Sequence, residues 1–71
     1  MKKKYKCEVD CANCAAKMED AVSRIDGVNS VSVSSLMQKF VLDAADDRYD
    51  EILDEAIRAC KKVEPDCVIE V

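Results

Sequence analysis

Lys4-Tyr5-Lys6-Cys7-Glu8-Val9-Asp10-Cys11-Ala12-Asn13-Cys14 changes its period partway along. Tyr5, Cys7 and Val9 alternate with Lys4, Lys6 and Glu8, the period-two pattern of a strand with one apolar face. Asp10 breaks the alternation. From about Asn13 to Ile25 apolar groups recur at Cys14/Ala15, Met18, Ala21/Val22 and Ile25, spaced by three and four. Lys17, Glu19, Asp20, Ser23 and Arg24 fall largely on the other side, so this segment is expected to be an amphipathic helix. A strand therefore hands over directly to a helix, and a Cys-x-x-Cys pair sits at the handover.

The same reading extends outward. Gly27 stands where the end of a helix wants a residue that tolerates positive φ. Val28, Val31 and Val33, interleaved with serines, predict a second strand, and Lys39-Phe40-Val41-Leu42 a third after a short turn near Ser35-Leu36. Asp46-Asp47 opens a second helix with acidic residues at its positive end, and Lys61-Lys62 lie in its last turn. Its apolar positions are Ile52/Leu53, Ala56/Ile57, Cys60 and Val63. Pro65 stops the helix, and Cys67-Val68-Ile69-Glu70-Val71 closes the chain as a strand. The order is βαββαβ without linker or repeat, one domain over residues 1–71. It predicts an α+β, ferredoxin-like sandwich: a four-stranded antiparallel sheet with both helices on one face.

Seventy-one residues leave room for one thin core only. The chain is 49% apolar and 37% charged, a globular composition. No apolar run approaches the roughly 18 residues of a membrane span, so no membrane insertion by this segment is expected. A net charge of −4 has the wrong sign for a general nucleic-acid binder. The acidic run of the second helix (Asp47, Asp50, Glu51, Asp54, Glu55) reads as a solvated face, or alternatively as a steering surface for a basic partner.

Five cysteines and no histidine exclude His-based hydrolysis and leave thiol chemistry. An odd count does not close into internal disulfides, and no secretory signal is visible, so a cytoplasmic setting with reduced thiols is expected. Cys7 and Cys67 share parity with inward-facing neighbours, and Cys60 lies on the apolar stripe of its helix. All three are expected in the core, as free cysteines usually are. Cys11 and Cys14 differ. A two-residue spacer at a helix start lets both sulfurs face one point, and the helix terminus favours thiolate over thiol. Asp10 is either a cap for the helix or a third metal ligand. Glu64, in the loop after the second helix, reads as a solvated residue or a further oxygen donor. Two thiolates alone suit Cu(I), whereas Zn(II) and Cd(II) want about four donors and accept oxygen.

Cys11-Ala12-Asn13-Cys14-Ala15-Ala16-Lys17-Met18-Glu19, followed by Ile25-Asp26-Gly27-Val28, resembles the heavy-metal-associated domains of copper chaperones and of metal-transporting P-type ATPases. The resemblance covers essentially the whole chain and implies the βαββαβ fold already read. It implies one heavy-metal ion held by Cys11 and Cys14. Asp10 before the first Cys, and Glu64-Pro65-Asp66 in the last loop, are similar to the zinc/cadmium/lead-transporting branch, which favours Zn(II), Cd(II) or Pb(II) over Cu(I). Glu8 and Val9 depart from the Gly-Met usual in the family, and Val9 takes the place of a buried Met that plugs the core beneath the loop.

The function expected is that of the N-terminal metal-binding domain of such an ATPase, passing or sensing its ion by ligand exchange and catalysing no reaction itself. The alternative is a free-standing, copper-type metallochaperone. The partners implied are the ion and either ATPase domains or a metallochaperone, with the domain monomeric or bridged into a dimer by metal. A more distant rival is a small thiol-disulfide oxidoreductase. Against it stand the short chain, the lack of a helix after the segment that follows Pro65, and an Ala-Asn spacer without proline.

Overall fold

The computed structural model describes residues 1–70. Strand β1 (Lys2–Glu8) leads into helix α1 (Ala12–Ser23), followed by β2 (Val28–Ser34) and β3 (Lys39–Ala44). A single 3₁₀ turn (Asp46–Arg48) precedes helix α2 (Tyr49–Val63), and β4 (Val68–Glu70) follows. The strands form one sheet in the order β2-β3-β1-β4, every neighbouring pair antiparallel. This is the expected ferredoxin-like sandwich. The termini of the sequence supply its edge and centre alike: β1, the alternating segment, pairs with β3 on one side and β4 on the other.

The alternation dictates the core. Cys7, Phe40 and Leu42 on the central strands, with Val33 on β2, meet Met18 and Val22 of α1 and Ile52 and Ala56 of α2. Phe40, Met18, Leu42, Ile52, Val22, Cys7 and Cys60 are the largest side chains without solvent contact. Burying each of the bulkier ones contributes about 1.5–3 kcal/mol. The three thiols expected in the core are there: Cys7 and Cys60 are fully buried and Cys67 nearly so. Burial raises the pKa of all three, that of Cys60 to about 12. They stay protonated near neutrality and act as small hydrophobes.

Several boundaries differ from expectation. Helix α1 ends at Ser23, so Ile25 sits half-buried in the following turn, where its carbonyl accepts the Val28 N–H at 3.2 Å. Asp46 and Asp47 form the 3₁₀ turn rather than the first turn of α2. The α-helix starts at Tyr49, whose buried ring and hydroxyl, 3.3 Å from the Leu42 carbonyl, fix the entry angle. Val63 is exposed and takes no part in the core. In the closing segment Cys67 precedes the strand, and Val71 lies outside the described residues.

Gly27 has φ +96°, in the turn between α1 and β2 rather than at the helix terminus itself. An added Cβ would also lie 2.6 Å from Cδ1 of the buried Ile52. Backbone strain and overpacking then act together. Gly27→Ala is expected to cost about 2–4 kcal/mol in urea denaturation. A loss below about 0.5 kcal/mol would show that the turn relaxes freely.

Candidate metal centre

The end of β1 aims the chain at the loop Val9-Asp10-Cys11. Val9 is buried beneath it, as expected of the residue that plugs the core there. The loop is braced from the β2–β3 turn. Gln38 Nε2 donates to the Val9 carbonyl at 3.0 Å and to the Ser35 carbonyl at 2.7 Å, and the Gln38 carbonyl accepts the Cys7 N–H at 2.9 Å. Gln38 holds φ +54°, an uncommon conformation for a residue other than glycine. Three hydrogen bonds keep it there. Nothing in the sequence flagged this residue, because a lone Gln in a turn carries no pattern.

Cys11 occupies the N-cap of α1 in an extended conformation, and its sulfur accepts the Cys14 N–H at 3.3 Å. The capping alternative for Asp10 is thereby corrected. The cap position falls one residue later, and sulfur takes the place that a carboxylate oxygen would fill. Asp10 itself is exposed. The first helical hydrogen bond, Ala15 N–H to the Cys11 carbonyl, is 3.1 Å long. One turn of helix thus sets the spacing of the two thiols.

Cys11 Sγ and Cys14 Sγ stand 2.9 Å apart, joined by one hydrogen bond. Cys11 is exposed and Cys14 partly so, and neither is in a disulfide. The two thiols divide their protonation unequally. The hydrogen bond with Cys14, then the backbone N–H groups of Cys14 and Asn13, hold Cys11 below the usual thiol value. The same hydrogen bond with Cys11, followed by the carboxylate of Glu64, pushes Cys14 up to about 12. The Glu64 carboxylate opposes the ionisation of both thiols. Among the described residues no cluster of three thiol or carboxylate donors is assembled around one point. What the arrangement offers is an exposed pair of hydrogen-bonded sulfurs on a helix N-terminus, in which Cys11 ionises before Cys14.

Glu19 has a role that its position on the polar helix face concealed. Its carboxylate accepts the Val33 N–H of the edge strand β2 at 3.0 Å, tying α1 to the sheet. No described helix is long and apolar enough to cross a membrane.

Known proteins frame this geometry. Over 39 residues, 55% of this chain, the sequence is 49% identical to the zinc/cadmium/lead-transporting P-type ATPase of Escherichia coli (strain K12). The matched stretch spans only 5% of that protein's length. The CopZ metallochaperone superposes with a TM-score of 0.75 at 18% identity, covering 99% of this chain and 100% of its own. The N-terminal domain of PacS from Synechocystis PCC6803 superposes with a TM-score of 0.68 at 22% identity, covering 100% of this chain and 96% of that one. These structural likenesses establish the fold. The sequence model of the heavy-metal-associated domain matches residues 6–62, from the middle of β1 almost to the end of α2 and including the whole Cys-x-x-Cys loop. The chain belongs to the heavy-metal-associated domain family.

Proposed function

We propose that Cys11 and Cys14 bind one soft or borderline heavy-metal ion as thiolates, and that the domain passes or senses this ion as the N-terminal part of a zinc/cadmium/lead-transporting P-type ATPase. The observation that carries the reading is the exposed sulfur pair, 2.9 Å apart, at the start of α1. Metal binding requires deprotonated thiols. An arriving ion displaces the thiol protons, so affinity rises with pH and falls as acid restores the thiols.

Release follows by ligand exchange. A thiolate of the partner forms a bond to the ion, the bond to Cys11 or Cys14 breaks, and the freed sulfur regains a proton. Sulfur replaces sulfur, and the ion is never free. The domain supplies no catalysis in this exchange. The exposure of Cys11 makes it the first sulfur a partner reaches.

Zn(II), Cd(II) and Pb(II) are the favoured cargo. Asp10 directly precedes Cys11 in the chain, and the Glu64 carboxylate, in the loop after α2, acts on the ionisation of the pair, so these are the two oxygens a bound ion would recruit. Two oxygens would complete the roughly fourfold shell that zinc prefers, while Cu(I) is content with the sulfurs. The sequence identity to a zinc/cadmium/lead transporter supports the same preference. Asp10→Ala and Glu64→Gln are each expected to weaken Zn(II) by about tenfold or more and to leave Cu(I) within about twofold, read by competition with chromophoric chelators. Equal losses for both ions would remove the oxygens from the site.

A further inference from the structure

The helix-free face of the sheet carries a charge pattern that neither the core nor the sulfur pair uses. There β1 presents Lys2, Lys4 and Lys6, and β3 presents Lys39, Val41 and Asp43, with Lys6 directly opposite Lys39. Opposed like charges weaken a sheet, yet these occupy its two central strands. Lys4, Lys6 and Lys39 are exposed, and among the described residues none is engaged in an ion pair. With Tyr5, Met37 and Gln38 they line a shallow hollow of about 350 Å³ that, among the described residues, has no carboxylate in its wall. Met37 is 60% exposed at its rim, and Leu36 beside it is 92% exposed. The carboxylates of this face stand outside the hollow: Asp43 lies opposite Lys2 and 3.7 Å from the terminal ammonium, Glu70 opposite Lys6, and Glu8 opposite Val68. The exposed acids of α2 belong to the other layer.

We propose that this face docks on an anionic lipid bilayer, with Lys4, Lys6 and Lys39 against phosphate-bearing headgroups and Met37 reaching into the interfacial region. Cations around an exposed apolar side chain are the combination that peripheral membrane contact uses. An acidic protein partner would have no need of the exposed Met37 and Leu36. A single-stranded nucleic acid would want aromatic side chains to stack on, but Phe40 is in the core and Tyr5 is packed against it. The net charge of −4 and the acidic α2 layer are repelled by the same membrane, so only one orientation of the domain is attracted. The contact is weak and orients the domain. The sulfur pair, on a loop beyond the end of β1, has no part in it, and this surface goes beyond the metal-binding reading.

The test is partition of the protein onto phosphatidylcholine vesicles with and without a third of phosphatidylglycerol, at low salt. Binding to the anionic vesicles is expected to exceed that to neutral ones by about tenfold or more and to disappear at high salt. Lys4→Gln/Lys6→Gln/Lys39→Gln should fall to the neutral-vesicle level, and Met37→Ser should bind severalfold more weakly with the salt dependence kept. Circular dichroism checks that these surface variants fold. Cys11→Ser/Cys14→Ser should partition like the unaltered protein, which separates this result from any failure of the metal site. Equal binding to both vesicle types, or an unaffected triple variant, overturns the proposal. So does binding to poly-glutamate without binding to vesicles, which would mark an acidic protein partner. Displacement by inorganic phosphate but not by chloride of equal ionic strength would reduce the face to a small-anion site.

Discussion

Cys11→Ser/Cys14→Ser is expected to lose Zn(II), Cd(II) and Cu(I) binding by about a thousandfold or more while keeping the fold. Serine is close to cysteine in size, but at neutral pH its hydroxyl remains protonated and is a hard, weak donor. Cys11 is exposed and Cys14 partly so, so the exchange leaves no cavity. Two local hydrogen bonds are put at risk, the one between the two sulfurs and the N-cap in which Cys11 Sγ accepts the Cys14 N–H, and serine oxygen is itself a preferred cap. Unchanged thermal unfolding together with lost binding is thus the expected pair of results. The single variants should differ in degree. Cys11 carries the lower pKa, so Cys11→Ser removes the sulfur that ionises first. With either variant, raising the pH should not restore the affinity of the pair.

The largest effect on stability is expected at Phe40. Its ring has no solvent contact, sits on the central strand β3, and meets Tyr5 at a centroid distance of 6.1 Å. Phe40→Ala should cost about 3–5 kcal/mol, the range for emptying a buried aromatic position. A domain of this size has a total stability of roughly 4–10 kcal/mol at typical values per residue. The variant should therefore be substantially unfolded or melt far below the unaltered protein in urea and thermal denaturation. A loss under about 1 kcal/mol would mean that the core repacks around the gap, and the role assigned to the inner face of the sheet would be wrong.

The architecture was legible because each element carries one clear period. Tyr5 and Cys7 fix the inner face of β1, and the spacing of Met18 and Val22 fixes that of α1. Helix boundaries were less legible, since the same residues serve different termini. Asp46 and Asp47 have the chemistry of a helix start but form a 3₁₀ turn, because α2 is set by where the ring of Tyr49 enters the core. The Cys-x-x-Cys pair was legible from spacing alone, its asymmetry was not. That asymmetry depends first on the hydrogen bond between the two sulfurs and then on Cys11 taking the cap, one residue later than the carboxylate of Asp10 suggests. The bracing of the loop by Gln38 and of the edge strand by Glu19 was invisible for a different reason. Both are single long polar side chains whose partners lie 29 and 14 residues away, and no local pattern encodes such a bond.

The measurement closest to the central claim is a titration of the reduced protein with Zn(II) and Cd(II), with stoichiometry read by calorimetry and bound ion by elemental analysis, run beside Cys11→Ser/Cys14→Ser. One ion per chain in the unaltered protein and none held tightly by the variant is the predicted result. Retention of one tightly bound ion by the folded variant would contradict it and move the metal away from the start of α1.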